Sequence, residues 1–445
     1  MATPQRLKDN QVPGGRAPSP ARLAAFKTLT RLEETACSLH LEDCLHEICD
    51  AARVDQRDRK LAYEIACGCI RHMTWLEQVI GSHSSRPANQ LDPPLRWILL
   101  MGLYQIMFLD RVTPYAAVNE SVLLCHHLGH AGWMAYANGV LRHVVHEHST
   151  PGFVRPAFSD LSIQFSHPRW LIDEYQHVFG ADRVPAILEW NNKIPQRHAR
   201  ARCPIPELMA ELGTTLIEAA PEFGPTVVRV RDMAAVIASP AFAAGKLYIM
   251  QPWSIKTIQH LPLEDGWTVL DMCAAPGGKS IAMADAAKVE ILALDITPSR
   301  LAIVNENARR CNVTTILTKA LDARKCSAIL SGRQFNAVLL DAPCTNLGVI
   351  QRHPEIKWRV APKMMAEAAA RQLDLMREGT LCLAPGGWLL YAVCTSSIDE
   401  TTGLIEKVHT AIPSLQLVRS ELTCPGQNAS DGGFWALFKK LRTAR

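Results

Sequence analysis

The stretch WTVLDMCAAPGGKS, from Trp267 to Ser280, decides the fold. Its first half is an apolar run of strand length that contains an acid near its end. Its second half is a turn of small residues with two adjacent glycines, leading into a helical segment. Such a turn lets the backbone approach a ligand closely, at a helix N-terminus whose N–H groups are free. The same texture recurs outward from this point. EILALD (Glu290–Asp295), TTILT (Thr314–Thr318), FNAVLLD (Phe335–Asp341) and GWLLYAV (Gly387–Val393) are apolar runs separated by helical segments. Strand–helix alternation predicts an α/β, Rossmann-like domain over residues 263–445: a doubly wound, mostly parallel sheet. Ligands of such sheets bind beyond the carboxyl ends of the strands. The residues that follow each run are therefore the candidates for chemistry.

After the first run come Cys273, Ala274, Ala275, Pro276, Gly277, Gly278 and Lys279. The spacing is neither G-x-G-x-x-G nor a phosphate loop. After the second comes Asp295, placed for the hydroxyls of a ribose. After the third comes Asp322, an acceptor for an adenine amino group. An acid at any one strand end can be a helix cap, but three in register, Asp271 of the first run with Asp295 and Asp322, outline an adenosine cofactor without a pyrophosphate. S-adenosylmethionine fits that outline. The fourth and fifth runs end on Asp341, followed by Cys344, and on Cys394. Either cysteine alone reads as a small buried hydrophobe. Both together, beside Asp341, suit thiol-dependent methyl transfer. Carbon 5 of cytosine is a poor nucleophile until a thiolate adds to carbon 6. A free thiol has a pKa of about 8.5, so the site must favour ionisation. Asp341 is the candidate to stabilise the adduct at the ring nitrogen, and a base must later remove the carbon 5 proton.

The remainder of the chain is organised differently. Residues 1–19 are polar, rich in Pro and Gly, and read as a disordered lead-in. Residues 20–148 keep helical periodicity and predict an all-α domain. Asp92-Pro93 marks the start of one helix, whose apolar positions include Leu95, Ile98, Leu99, Ile106 and Leu109. Residues 149–164 contain STPGFVRPAF and read as a linker. Residues 165–262 predict a small α+β module with strands in TVVRVRDM and GKLYIM. The most apolar stretch, Leu95–Leu109, is too short to span a bilayer, so no membrane association is expected. The 14 cysteines show no zinc spacing, and Cys67 and Cys69 lie in an apolar helical run; no metal is expected. A chain of 445 residues needs no disulfide framework, which favours a reducing, cytoplasmic setting. The net charge of +4 is compatible with a polyanionic partner without demanding one. Arg71, Arg96, Arg111 and Arg142 are scattered basic candidates for such a partner, and a monomer is expected.

Three segments, VLDMCAAPGGKS, LLDAPCTNLGVIQRHPEIKWR and YAVCTSSIDE, resemble the signature segments of the NOL1/NOP2/Sun family of RNA cytosine-5 methyltransferases. DGGFWALFKK (Asp431–Lys440) resembles that family's closing strand. Gly102–Val122 and Ala137–Val145 resemble a NusB-like helical RNA-binding domain. The resemblance covers roughly residues 20 to 440. It implies Cys394 as nucleophile and Cys344 as the cysteine that aids product release. It also implies cofactor contacts from Cys273 through Lys279, Asp295, Asp322 and Asp341. Lys279 is also placed by it near the target base, and Arg300 and Asn307 match positions on the helix after the ribose acid. The NusB-like domain implies ribosomal RNA as partner, and its pairing with the methyltransferase segments implies the 16S RNA of the small subunit in particular. Transfer RNA is an alternative substrate, and a non-catalytic NusB-type assembly factor is an alternative of another class. The chain departs from the family pattern at Asn336, Asn346, Val393 and Gln251-Pro252-Trp253-Ser254.

Overall fold

The computed structural model describes residues 17–442; the lead-in at 1–19 lies almost wholly outside them, as do the last residues of the basic C-terminus. The described residues form two compact units, one of residues 17–173 with His353–Arg359, the other of residues 174–352 with 360–442.

The first unit is built from seven principal helices: α1 (Pro20–Glu34), α2 (Leu41–Ala51), α3 (Gln56–Arg71), α4 (Met73–His83), α5 (Pro93–Phe108), α6 (Pro114–His127) and α7 (Ala131–His148). Asp92 stands at the N-cap position of α5 with Pro93 at the first turn, although its side chain makes no capping bond. The periodicity of α5 suggests one apolar face. In the structure α5 is buried on nearly every side, from Leu95 through Met107 apart from Arg96. A helix that is apolar all round belongs in the middle of a bundle, and α1, α3, α4, α6 and α7 all pack on it. The region read as a linker holds a helical turn at Leu161–Gln164, where Asp160 caps the N–H of Ser162. Thr74 and Ser166 tie this turn back to α4.

Residues 353–359 are far from this unit in sequence but pack within it. Lys357 is fully buried and donates to the Arg71 carbonyl at 2.8 Å, and Trp358 donates to the Ile70 carbonyl at 3.0 Å. Both acceptors lie at the C-terminus of α3, where helix carbonyls lack intrahelical partners.

The second unit contains two sheets. An antiparallel four-stranded sheet has the order β2-β3-β1-β4, from β1 (Arg197–Ala201), β2 (Ile217–Ala219), β3 (Val227–Val230) and β4 (Leu247–Ile249). β3 and β4 fall inside the two runs predicted as strands. β1, RHARA, carries no alternating apolar pattern and is not visible as a strand in the sequence. It is nonetheless central and mostly buried, because Arg200 finds Asp285 at 2.6 Å. A charge is tolerated in the interior when it is paired.

The larger sheet is seven-stranded, in the order β10-β11-β9-β8-β5-β6-β7. Its strands are β5 (Thr268–Asp271), β6 (Glu290–Asp295), β7 (Ile316–Ala320), β8 (Phe335–Asp341), β9 (Leu383–Val393), β10 (Leu415–Thr423) and β11 (Gly433–Lys440). The run from β9 to β7 is parallel, and β11 is antiparallel to both its neighbours. Successive side chains of a strand point to opposite faces, and both faces are apolar here. Val269, Ile291, Leu339 and Leu390 pack on one side, with the helices Gly278–Ala286 and Pro298–Arg310. Leu270, Leu292, Val338 and Leu389 pack on the other, with Pro362–Cys382 and Thr402–Ala411. Burial on both faces is why the runs read as continuous apolar stretches. Among the described residues, no helix is long and apolar enough to cross a membrane.

Candidate active site

The first strand end is β5. Gly277 adopts φ +104°, a left-handed conformation that favours glycine. A side chain at Gly278 would come within 2.7 Å of the Tyr248 ring. The turn is thus folded tightly against the rest of the unit. Tyr248 donates from its hydroxyl to the Pro276 carbonyl at 3.1 Å, and Asn307 donates to the same carbonyl at 3.1 Å. Arg300 reaches the Ala275 carbonyl at 3.3 Å. Arg300 and Asn307 therefore brace the turn.

A cavity of about 290 Å³ opens at this turn. Cys273, Ala274, Ala275, Pro276, Gly278, Lys279 and Asp341 line it, joined by Tyr248, Gln251, Ser254, Asp271 and Arg352. Asp271 is the acid at the end of the first run, and its sequence pattern gives it no role of its own. It is buried, accepts from Ser280 Oγ at 2.5 Å through Oδ2, and leaves Oδ1 without a partner among the described residues. Burial, reinforced by the charge of Asp341, pushes its carboxyl up to about 7. Asp295 and Asp322 do not line the cavity. Asp295 accepts from Thr297 N at 3.0 Å and pairs with Arg300 at 3.2 Å. Asp322 caps Arg324 N and binds the Arg324 guanidinium at 2.6 Å. That guanidinium is the main cause that holds the Asp322 carboxyl below its usual range. Both acids are thus engaged by their own neighbours, the role that a strand-end acid takes when it caps the next turn.

The two cysteines lie at the ends of hydrogen-bonded parallel neighbours, since Asp341 of β8 pairs in register with Ala392 of β9. Their sulfurs are 3.5 Å apart. Asn346 Oδ1 accepts from both, at 2.8 Å from Cys394 Sγ and 3.3 Å from Cys344 Sγ. Asn346 holds a left-handed backbone, φ 62°, which asparagine tolerates better than most residues. The position that departs from the family pattern therefore touches both thiols. Lys279 Nζ stands 2.5 Å from Asp341 Oδ2. Burial works against the Lys279 ammonium, but Asp341 and the nearby Cys394 outweigh it, so its affinity for a proton is raised. Cys344 is pushed well above the ordinary thiol range by its contact with Cys394 and by burial.

Nothing in the sequence pattern singles out a role for Glu400. It is fully buried and accepts from Thr345 N at 3.0 Å, Gln372 Nε2 at 2.8 Å and Thr345 Oγ1. Thr345 in turn meets Thr395 at 2.9 Å. One carboxylate thus ties together the residues that follow each cysteine. The other departures are explained locally. Asn336 accepts from Thr268 N at 2.9 Å and joins the starts of β8 and β5. Val393 is buried at the end of β9. Gln251 Oε1 meets His198 Nδ1 at 3.2 Å while lining the cavity. Of the four basic candidates in the helical unit, Arg71 is buried and Arg96 is paired with Glu33 and Glu77. Only Arg111 and Arg142 of that set are exposed.

A mostly parallel Rossmann-like sheet with this turn and cavity at its strand ends defines the class of the catalytic unit, a methyltransferase domain. The comparisons with known proteins take the assignment further. Residues 258–438 match the 16S rRNA methyltransferase RsmB/F family, and residues 19–146 match the NusB family. Ribosomal RNA small subunit methyltransferase B of Cronobacter sakazakii is 31% identical over 403 residues, covering 87% of this chain and 92% of that one. Its counterpart in Erwinia tasmaniensis is 31% identical over 433 residues, covering 94% and 98%. Among solved structures, PH0851 superposes with a TM-score of 0.77 at 22% identity over 96% of this chain and 100% of that one. NSun6 from Pyrococcus horikoshii, solved with SFG, gives 0.56 at 20% identity over 62% and 98%. The chain belongs to the RsmB/F family of S-adenosylmethionine-dependent rRNA methyltransferases, with a NusB domain at its N-terminal end.

Proposed function

We propose that the chain methylates carbon 5 of a cytosine in 16S ribosomal RNA through a covalent adduct on Cys394. The observation that carries this reading is the pair of thiols 3.5 Å apart beside the Lys279–Asp341 ion pair. S-adenosylmethionine, when bound, supplies the electrophilic methyl group. The cavity at the β5 turn suits it: the small residues of the turn line it together with the carboxylates Asp271 and Asp341. The residues from Cys273 to Lys279, with Asp271 and Asp341, hold it in this reading. Asp295 and Asp322 serve the ribose and the base once they exchange their present partners.

The target base must leave any stacked helix to reach such a site. Cys394 Sγ then bonds to carbon 6, and a proton from the Lys279–Asp341 pair settles the charge at the ring nitrogen. Carbon 5 becomes the nucleophile. After methylation the carbon 5 proton must depart, so that the electron pair re-forms the double bond and expels the Cys394 thiolate. Cys344 is assigned this release step. While Cys394 is free, its hydrogen bond and charge hold Cys344 as a thiol. Once Cys394 is a thioether that influence is gone; Cys344 gives up its own proton to solvent and takes the carbon 5 proton as a thiolate, and the ring nitrogen returns its proton to the Lys279–Asp341 pair as the Cys394 thiolate leaves.

The test is direct. Cys394→Ala should abolish methyl transfer to RNA, and turnover at the wild-type rate would overturn the mechanism. Cys344→Ala should accumulate a covalent enzyme–RNA adduct on a denaturing gel; an adduct from Cys394→Ala instead would reverse the roles. Bisulfite sequencing of ribosomal and transfer RNA, with and without the gene, identifies the substrate. Protection restricted to transfer RNA would replace the 16S reading, and no lost site in either RNA would leave the assembly-factor reading.

A further inference from the structure

The helical unit contains a cluster that methyl transfer does not use. His40 stands immediately ahead of α2, and His353 and Glu355 belong to the segment 353–359 that packs in the same unit. His40 Nδ1 is 3.5 Å from Glu355 Oε1, and His353 Nδ1 is 3.8 Å from the same oxygen. One potential ligand atom from each of the three side chains lies within 4.8 Å of the other two. Ligands at about 2.0–2.2 Å around a tetrahedral zinc stand roughly 3.4 Å apart. The two histidine–carboxylate spacings are close to that value, and the third side of the triangle can close by rotation of the exposed His40.

Glu355 supplies an independent observation. Its side chain is 1% exposed, and its Oε2 has no hydrogen-bond partner among the described residues. Native proteins seldom leave a buried carboxylate oxygen unmet, since the desolvation cost is not recovered. Oε1, the oxygen that both histidines face, also takes a long contact from Leu41 N at 3.5 Å, so an ion would meet the carboxylate at Oε1 with Oε2 available as a second oxygen. We propose that His40, His353 and Glu355 form a binding site for a divalent transition-metal ion of the zinc class, with water completing the shell. Two imidazoles and one carboxylate select such an ion over magnesium or calcium. The ion would clip the segment 353–359 to the start of α2.

Two other groups belong to the surroundings. Arg359 Nη1 is 3.4 Å from His40 Nδ1, and this cation competes with the metal for the imidazole. The Cys37 thiol is pushed up to about 11 by burial and by Glu355, and it is not one of the three grouped side chains. Arg359 makes the proposal separable from a plain histidine–carboxylate ion pair. Removing it should tighten metal binding, whereas a hydrogen-bonded network without a metal has no affinity to tighten.

The experiment uses the full chain, stripped with a chelator, reduced, and titrated with Co²⁺ and then Zn²⁺. One equivalent of Co²⁺ should bind with weak visible bands and no thiolate charge-transfer band, which separates this site from the cysteine pairs. Zn²⁺ should displace it. His40→Ala and Glu355→Gln should each weaken binding by about 100-fold or more, at the upper end of what supporting residues contribute. Arg359→Ala should strengthen it. His40 is exposed, so His40→Ala should keep the wild-type circular dichroism even where Glu355→Gln does not. Absence of saturable binding in the micromolar range, a thiolate band, or wild-type affinity in His40→Ala would each overturn the proposal.

Discussion

At the scale of single residues, the site is governed by protons held by burial and by neighbours. Asn346 offers one oxygen to both thiols. Asn346→Asp replaces that oxygen with a negative charge of nearly the same shape, which disfavours a thiolate beside it. The pH midpoint for alkylation of Cys394 should move up by about one unit or more, which corresponds to about 1.4 kcal/mol. An unchanged midpoint, measured by mass spectrometry of iodoacetamide-treated protein, would show that Asn346 does not act on the thiols. Asp271 gives a second expectation. Its folded carboxyl is raised to about 7 by burial, above the unfolded value of about 3.9. The folded state therefore binds the proton more tightly than the unfolded state. This contribution to stability is full below about pH 4 and is lost as pH rises to about 7. Asp271→Asn removes the ionisation. Relative to wild type, its melting temperature should rise between pH 4 and pH 8 in scanning calorimetry. A difference that stays flat with pH would contradict the assigned shift.

At the scale of elements, the two cysteine-bearing strand ends depend on a polar staple. Glu400 accepts hydrogen bonds from the residue after Cys344 and from the helix Pro362–Cys382 through Gln372. The Tyr391 hydroxyl of β9 shares its proton between two acceptors, the Glu400 carbonyl at 2.8 Å and Gln372 Oε1 at 3.0 Å. Every member of this network is buried, and a half-satisfied buried network costs more than none. Glu400→Ala strands the Thr345 N–H and the Gln372 amide. The expected loss is about 2–4 kcal/mol in urea denaturation, with methyl transfer falling even under conditions where the variant is folded. A loss below about 0.5 kcal/mol, typical of an ordinary surface position, would remove the staple from the account.

At the scale of the whole molecule, a modest net charge of +4 must serve an RNA substrate, so individual exposed cations matter more than the total. Each phosphate contact to a single strand contributes a salt-dependence slope of about 0.7. Arg111 and Arg142 are exposed in the helical unit, whereas Arg96 is committed to Glu33 and Glu77. The double variant Arg111→Ala/Arg142→Ala should lower the salt slope for a 16S fragment by about 1–1.4 in filter binding. Arg96→Ala should instead cost stability and leave the slope intact. Equal slopes for wild type and the double variant would exclude both arginines from the RNA surface.

Much of the larger sheet was legible in the residues alone, because its signal is local. Five apolar runs of strand length, each followed by a turn, specify buried parallel strands whichever way the chain continues. Cys344, Cys394 and the turn from Cys273 to Lys279 were legible for the same reason: they follow strands, and strand ends are where such sheets place ligands. What the sequence left open depends on partners distant along the chain. β1 looks like a charged loop until Asp285 pairs with Arg200. Asn346 looks like a loop residue until two sulfurs from separate strands converge on its oxygen. Asp295 and Asp322 look equivalent to Asp341 until the cavity is seen to take in Asp341 and leave the other two outside its lining. The segment 353–359 follows Cys344 in sequence, yet it packs in the helical unit. The turn WTVLDMCAAPGGKS, by its own alternation and its two glycines, determined the α/β architecture. Which carboxylates face the cavity, and which thiols share an acceptor, was decided by tertiary structure, since burial and pairing are properties of neighbours rather than of residue types.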